Sequence, residues 1–531
     1  MDTAVRDLTV YPSVHLLTKS ASDIISWDQT LPANVTAATS ATLDLGFLVD
    51  GDHPYYGESG GFYDATVPLS RPREPHFVGL LPLYRYPLLP MLFFAAVALA
   101  ALSNCDAKPL RLSHASGDVQ LPDYIAKNLG PYSPYIPVGT YPAPPAHCVV
   151  NQVNILQRHG ARFPTAGAGK KIIASVAKVK AARSFSKSFA FVPSYNYTLG
   201  ADDLTPFGAQ ESHDAGVLTA KRYSMLPLGS MPFVRSDSSQ RVVDSAANWS
   251  AGFAMQSHSP RRSVLVLNGA TGSNDTLENN NCPNAPEPTI PETAWLNLFA
   301  TNITSRLNAG APGANLTNAD TLNLMQLCGF DSGSSGSLSP WCGIFQTKEW
   351  AAFEYYYDLD KFYGNGYGNT LGAIQGVGYV NELLSRVTGD LKFATNDKTQ
   401  VNHTLDSSPS TFPLARTLYA DFSHDNQITS ILAAMGLKKG PNLPSTGPPV
   451  NQAWVTSQIV PFAGRLVTER LLCGGKQYVR FLINDQLQPA TFCGGDKSAP
   501  GVCRLEDFVK SQAYSTNNGN GDYSKCGYVP L

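Results

Sequence analysis

The run Cys148-Val149-Val150-Asn151-Gln152-Val153-Asn154-Ile155-Leu156 passes through Gln157 into Arg158-His159-Gly160-Ala161-Arg162-Phe163-Pro164. Its first nine residues are β-branched and apolar enough to form a buried strand. Beyond a loop at 164–169, residues 170–183 (KKIIASVAKVKAAR) space their apolar side chains helically and keep basic ones on the other face. Strand, polar loop and helix make a βα unit, and α/β proteins bind ligands at the carboxyl ends of such strands. A second strand at 414–422 (LARTLYADF) repeats the plan: it enters Ser423-His424-Asp425-Asn426 and then an apolar helix over 428–435. Residues 478–485 (YVRFLIND) alternate like a late strand, with a turn near Asn484-Asp485. Several helical stretches and Gly/Ser loops fill the middle. The pattern is α/β with a helical insertion and no internal repeat.

Composition narrows the class. The chain has 531 residues, 43% of them apolar, enough for a large core. Charged residues make up only 15%, beside 44 Gly and 39 Pro, which fits a compact, loop-rich extracellular protein. A net charge of -2 without a long basic run argues against nucleic acid as the main partner. An anion here must be held by a local cluster.

The strongest apolar stretch, 91–102 (MLFFAAVALAAL), has the length and texture of a signal-peptide core and is too short for a comfortable membrane span. Translation is therefore expected to start at or near Met91, with residues 1–90 a gene-model extension or dispensable leader and 91–107 the signal peptide. The competing reading is a signal anchor with a cytoplasmic tail. Cleavage after Ala107 removes Cys105 from the nine cysteines and leaves an even set, whereas cleavage after Ser103 leaves an odd thiol. Wide spacing without C-x-x-C argues against zinc. Six sequons, at Asn196, Asn248, Asn274, Asn302, Asn315 and Asn402, point to a secreted glycoprotein. Residues from about 110 to 145, rich in Pro and Tyr, read as an extended arm.

The chemistry sits after the two strands. Phosphoryl transfer to an enzyme nucleophile needs a weakly basic attacking atom, cations around the phosphate oxygens and an acid for the leaving alcohol. Neutral imidazole at His159 supplies the first, and Arg158 and Arg162 flank it with guanidinium forks that stay charged in acid. Two His-Asp pairs compete for the remaining roles. His213-Asp214 reads as the polar face of a helix over 206–223, while His424-Asp425 follows a buried strand as His159 does. Asp425 is thus the expected proton donor to the leaving oxygen and His424 the expected hydrogen-bond donor to phosphate. Arg235, ahead of a helix-like stretch at 236–253, is taken as the third cation. Rival motifs fail on context. Gly57-Glu58-Ser59-Gly60-Gly61 lacks a preceding strand, and Gly364, Gly366, Gly368 and Gly372 are spaced wrongly for a dinucleotide loop. No H-E-x-x-H occurs, and no metal or cofactor is expected.

Four blocks carry a resemblance: RHGARFPT (158–165), PFVRSDSSQRVVDSAANWSAGF (232–253), YYYDLDKFYG (355–364) and YADFSHDN (419–426). Together they resemble the histidine acid phosphatases, most closely the secreted phytases of basidiomycete fungi, from about residue 141 to 529. The resemblance implies a mixed sheet flanked by helices with an inserted helical subdomain, a histidine phosphatase or phosphoglycerate mutase-like fold. The α/β core then lies at about 145–170 and 400–531 of a domain spanning 108–531, with the helical subdomain within about 170–400. It implies that His159 is phosphorylated, that Asp425 is the proton donor, and that Arg158, Arg162, Arg235 and His424 hold the scissile phosphate, with Lys361 touching substrate. It also implies the disulfides Cys148–Cys473, Cys282–Cys526, Cys328–Cys342 and Cys493–Cys503. The activity implied is stepwise phosphate release from myo-inositol hexakisphosphate, beginning at the 6-position (4-position in the other numbering sense). A broad acid phosphatase and an inactive binding protein on the same fold are the alternatives. The partner is a small phosphomonoester, with no stable membrane insertion; oligomeric state is not legible.

Overall fold

The computed structural model describes residues 121–531 except 227–230, 271–272, 274, 279–280, 400, 496–500 and 528–531, together with two short strands nearer the start. Two compact units result, Met1–Cys105 and Asp106–Leu531. In the first, β1 (Ser13–His15) and β2 (Ser26–Asp28) pair antiparallel. The remainder of 1–107, with the signal-peptide segment, Cys105 and Gly57–Gly61, lies outside the described residues, as does the sequon Asn274.

The second unit is built on β3 (Cys148–Arg158), the strand expected at 148–156 and two residues longer. Its partners are β4 (Phe233–Ser236), β5 (Val264–Val266), β6 (Leu418–Ser423), β7 (Arg465–Cys473), β8 (Lys476–Ile483), β9 (Gln486–Leu487) and β10 (Val502–Arg504). They form one eight-stranded sheet in the order β10-β8-β7-β3-β6-β4-β5, with β9 beside β8. β3, β6, β4 and β5 run parallel, while β7, β8 and β10 add antiparallel strands, so the sheet is mixed. The parallel half places the carboxyl ends of three strands side by side: Arg158 pairs with Ser423, and Ser236 with Phe422.

Helices cover both faces. Val153 and Ile155 of β3 pack with Trp249 and Phe253 of α3 (Gln240–Ser257) and Ala215 of α2 (Pro206–Arg222). Leu156 points the other way, as strand alternation requires. It meets α7 (Val377–Thr388), α8 (Asp425–Met435) and Phe508 of α9 (Leu505–Ser511). A separate apolar cluster joins α1 (Ala166–Lys180), α4 (Thr289–Gly310), α5 (Asn318–Ser335) and α6 (Thr347–Gly364) around Trp341 and Trp350. The span 170–400 is therefore not purely helical: β4 and β5 lie within it, and α2 and α3 cover the sheet. None of the described helices is long and apolar enough to cross a membrane.

Local chemistry explains two departures. The strand expected at 414–422 begins only at Leu418, because the Tyr419 hydroxyl accepts from the Arg416 N–H and donates to the Pro413 carbonyl, holding that segment as a turn. The arm is not simply extended; its described part contains helical turns at Asp123–Ala126 and Gly130–Tyr132. Gly130 has φ +57°, and a Cβ there would lie 2.5 Å from Tyr357 Cβ, so this turn needs glycine. Asn484 and Asp485, at φ +47° and +68°, make the expected turn after β8.

Candidate active site

His159 follows the last residue of β3 and is fixed on both sides. Its N–H donates to the Ser423 carbonyl (3.1 Å), and its carbonyl accepts from Ala463 N–H (2.9 Å). Nδ1 lies 2.8 Å from the Gly160 carbonyl. A carbonyl only accepts, so Nδ1 carries the hydrogen and Nε2 keeps a lone pair. Burial, then Arg158, Arg162, His424 and Arg241, hold the His159 pKa well below the usual imidazole value. The ring therefore stays neutral and nucleophilic in mild acid. Gly160 allows the loop to meet α2 at close range: a Cβ at Gly160 would sit 2.1 Å from the Gly208 carbonyl oxygen.

Three guanidiniums surround this histidine. Arg158 is fully buried; Nη1 donates to the carbonyls of Pro131 and Val460, the latter at 2.8 Å, and the group lies 4.7 Å from the Phe462 ring centre. Burial brings its pKa down to about 10, against the pull of Asp425. Arg162 donates Nη1 to its neighbour's carbonyl, Phe163 O, at 2.8 Å. Arg241, near the start of α3, places Nη2 3.5 Å from His424 Nδ1, and burial and Arg162 lower its pKa. The Nε atoms of all three are buried without a hydrogen-bond partner among the described residues. Like charges gathered with spare donors form an anion site.

Arg235, expected as the third cation, does not join them. Its Nε donates to Asp421 Oδ1 (2.8 Å) and its Nη2 to Glu382 Oε2 (2.7 Å), while Arg386 Nη1 takes Asp421 Oδ2 at 2.5 Å. Register decides this: Arg235 lies inside β4 directly beside Asp421 of β6, so its side chain is paired before the strand ends. Arg241 lies past the end of β4, within the same quoted block, and the signal that could have found it is its place in the first turn of the helix that follows the strand.

His424 caps α8, and Asp425 is its first residue. Asp425 Oδ2 is 3.4 Å from Arg158 Nη2 and 3.1 Å from Lys361 Nζ. Burial would raise this carboxyl, yet Arg158 and Lys361 overrule it and hold it well below the usual range. Lys361, in the last turn of α6, also donates to Asn426 Oδ1 at 2.7 Å. The rings of His159 and His424 are 5.6 Å apart, edge to face. His424 Nε2 faces two carboxylates that the sequence reading missed, Asp237 (2.9 Å) and Glu278 (3.1 Å). Burial raises Asp237, but its hydrogen bonds to His424 and Ser239 prevail and bring it down to about 2. These three residues could ligate a metal ion, and are the one such group among the described residues. Nε2 directs its hydrogen at these carboxylates, while Asp237 Oδ1 is buried without a hydrogen-bond partner among the described residues. His213 is elsewhere, on α2 beside Asp214, at 3.5 Å.

Beyond the site, the four disulfides Cys148–Cys473, Cys282–Cys526, Cys328–Cys342 and Cys493–Cys503 are present. Asn196, Asn302 and Asn315 are exposed, and Asn248 and Asn402 are half-buried.

Residues 149–484 match the family described as the histidine phosphatase superfamily (branch 2). The chain is 38% identical over 424 residues to Phytase A of Aspergillus awamori, covering 75% of this chain and 89% of that one. It is 33% identical over 527 residues to Phytase A of Neurospora crassa, covering 85% and 99%. Among solved structures, the phytase from D. castellii shares the fold with a TM-score of 0.64 at 24% identity, over 77% of this chain and 88% of that one.

Proposed function

The chain belongs to the histidine phosphatase superfamily, branch 2, and from that premise we propose that it is a phytase that works through a phosphohistidine on His159. The observation that carries this reading is the neutral His159, its Nδ1–H spent on the Gly160 carbonyl, among three arginines. Relatives at 33% and 38% identity that bear the name Phytase A support phytate as substrate.

In this mechanism Arg158, Arg162, Arg241 and His424 hold the non-bridging oxygens of the scissile phosphate. The Nε2 lone pair attacks phosphorus, the ester P–O bond breaks, and Asp425 gives its proton to the departing inositol oxygen. Water then attacks phosphorus, Asp425 takes a proton from it, and the N–P bond breaks to return neutral His159. Asp425 is ionised beside Arg158 and Lys361. A polyanionic ester opposes that charge and lifts the carboxyl toward its protonated form, so the substrate helps to arm its own acid. Lys361 steadies the carboxylate left after the first step.

Secretion is part of the reading. Four disulfides and exposed sequons at Asn196, Asn302 and Asn315 suit an oxidising compartment, with 91–107 as the signal peptide and 108–531 as the phosphatase domain. N-terminal sequencing of secreted protein checks the boundary, and recovery of residues from 1–90 would refute it.

The activity is tested by phosphate release from phytate against a simple aryl phosphate in mild acid. Phytate is expected to be the better substrate, and a comparable or greater preference for the aryl ester sinks the phytase assignment. His159→Ala is expected to abolish turnover with the fold intact; retained turnover overturns the phosphohistidine.

A further inference from the structure

His424 has an unusual setting for a residue that serves an anion: two carboxylates meet at one of its nitrogens. Asp237 Oδ2 is 2.9 Å and Glu278 Oε2 3.1 Å from Nε2. Ionised carboxylates only accept, so Nε2 must carry a hydrogen. That leaves Nδ1 as the nitrogen on the arginine side, 3.5 Å from Arg241 Nη2.

Both carboxylates are anchored to the strand ends that build the site. Asp237 follows β4; its N–H donates to the Phe422 carbonyl (3.1 Å), and its Oδ2 also accepts from the Ser239 N–H (2.8 Å). Glu278 follows Leu277, whose carbonyl accepts from Ser423 Oγ at 2.6 Å, one residue before His424. Asp237 is 1% exposed, so its charge acts on the ring with little screening by water.

We infer that Asp237 and Glu278 are positioning residues for His424, fixing Nε2 as a hydrogen donor to them and holding the ring with Nδ1 turned toward the scissile phosphate. The inference rests on the assignment of His424 to the scissile phosphate. Other groups face the ring or its carboxylates. Arg241 approaches from α3 and His159 from the end of β3, the latter neutral and 5.6 Å away between ring centres. Asp275 lies near both carboxylates, and burial holds its pKa well above the usual carboxylate range. Two carboxylates near 3 Å therefore fix the Nε2 edge of the ring, with one guanidinium at 3.5 Å on the Nδ1 edge.

The test is steady-state turnover of phytate and of an aryl phosphate in mild acid, with inorganic phosphate as a competitive inhibitor. Asp237→Asn is expected to lower kcat/KM on the order of 10- to 100-fold and to weaken phosphate inhibition, because its amide can turn an N–H toward Nε2 and release the ring. In a His424→Ala background the same change should do nothing further, because it acts through that ring. Phosphate inhibition left at the wild-type level, or an equal loss in the His424→Ala background, overturns the inference. Glu278→Gln, at a residue 20% exposed, must weaken phosphate inhibition in the same direction, and it decides the matter alone if Asp237→Asn does not fold. A wild-type enzyme without phosphatase activity would instead sink the function proposed above.

Discussion

Arg235 and Arg241 sit in one sequence block and fall on opposite sides of a strand end. Arg241 lies past β4 with an unpaired Nε beside His424; Arg235 lies inside β4 with its charge absorbed by Asp421 and Glu382. Their substitutions should therefore fail in different assays. Arg241→Ala removes a cation from the transition-state phosphate, and kcat/KM is expected to fall on the order of 10²- to 10³-fold with little change in unfolding midpoint. Arg235→Ala leaves two buried carboxylates short of a partner and should destabilise by about 3–5 kcal/mol in chemical denaturation. An Arg235→Ala enzyme of normal stability, or an Arg241→Ala enzyme of normal kcat/KM, would reverse these assignments. At this scale the sequence showed which residue types the site needs. It could not show which arginine is already spent, because Asp421 and Glu382 reach Arg235 from 186 and 147 residues away.

Elements were legible in proportion to their length and burial. β3, eleven residues long and rich in Val and Ile, stood out, whereas β4 and β5 have four and three residues and left no periodic signal. The arm was legible as a segment but not as a part of the site, since what fixes it comes from helices distant in sequence. Glu211 on α2 accepts the Tyr135 N–H at 2.9 Å and the Ala161 N–H at 2.8 Å, tying the arm to the nucleophile loop. Glu354 on α6 does the same for Gly130 (2.6 Å) and Ser457 (2.8 Å). Burial, only partly offset by these N–H groups, pushes Glu211 and Glu354 up to about 7. A carboxyl raised in the folded state favours folding below its unfolded pKa of roughly 4.5, and that advantage is lost as pH rises through about 7. For Glu211 alone the change is about 3 kcal/mol. The unfolding midpoint should accordingly drop between acid and neutral pH, and Glu211→Gln should flatten the slope in calorimetry across that range. An unchanged slope would mean that Glu211 stays ionised throughout.

Across the whole molecule, the layout separates what stabilises the sheet from what performs chemistry. The sheet runs from the Cys148–Cys473 bridge at one end of β3 to His159 at the other, eleven residues of strand and so roughly 36 Å apart. The bridge closes a loop of 325 residues, so in the chain-entropy account its loss should cost about 2–5 kcal/mol, mostly through the unfolded state. Cys282–Cys526 differs, for Cys282 follows Glu278 by only four residues. The pairing pattern came from family resemblance, and no reading of spacing could have separated a remote bridge from one tied to the site. The two can be separated by kinetics. Cys148→Ser/Cys473→Ser should lower the unfolding midpoint while kcat/KM and its pH profile stay unchanged at moderate temperature. Cys282→Ser/Cys526→Ser should lower the midpoint and also lower kcat/KM, because Glu278 lies only four residues from Cys282. Equal effects on kcat/KM from both pairs would mean that the sheet transmits strain from one end of β3 to the other, and that stability and chemistry are not separable in this fold.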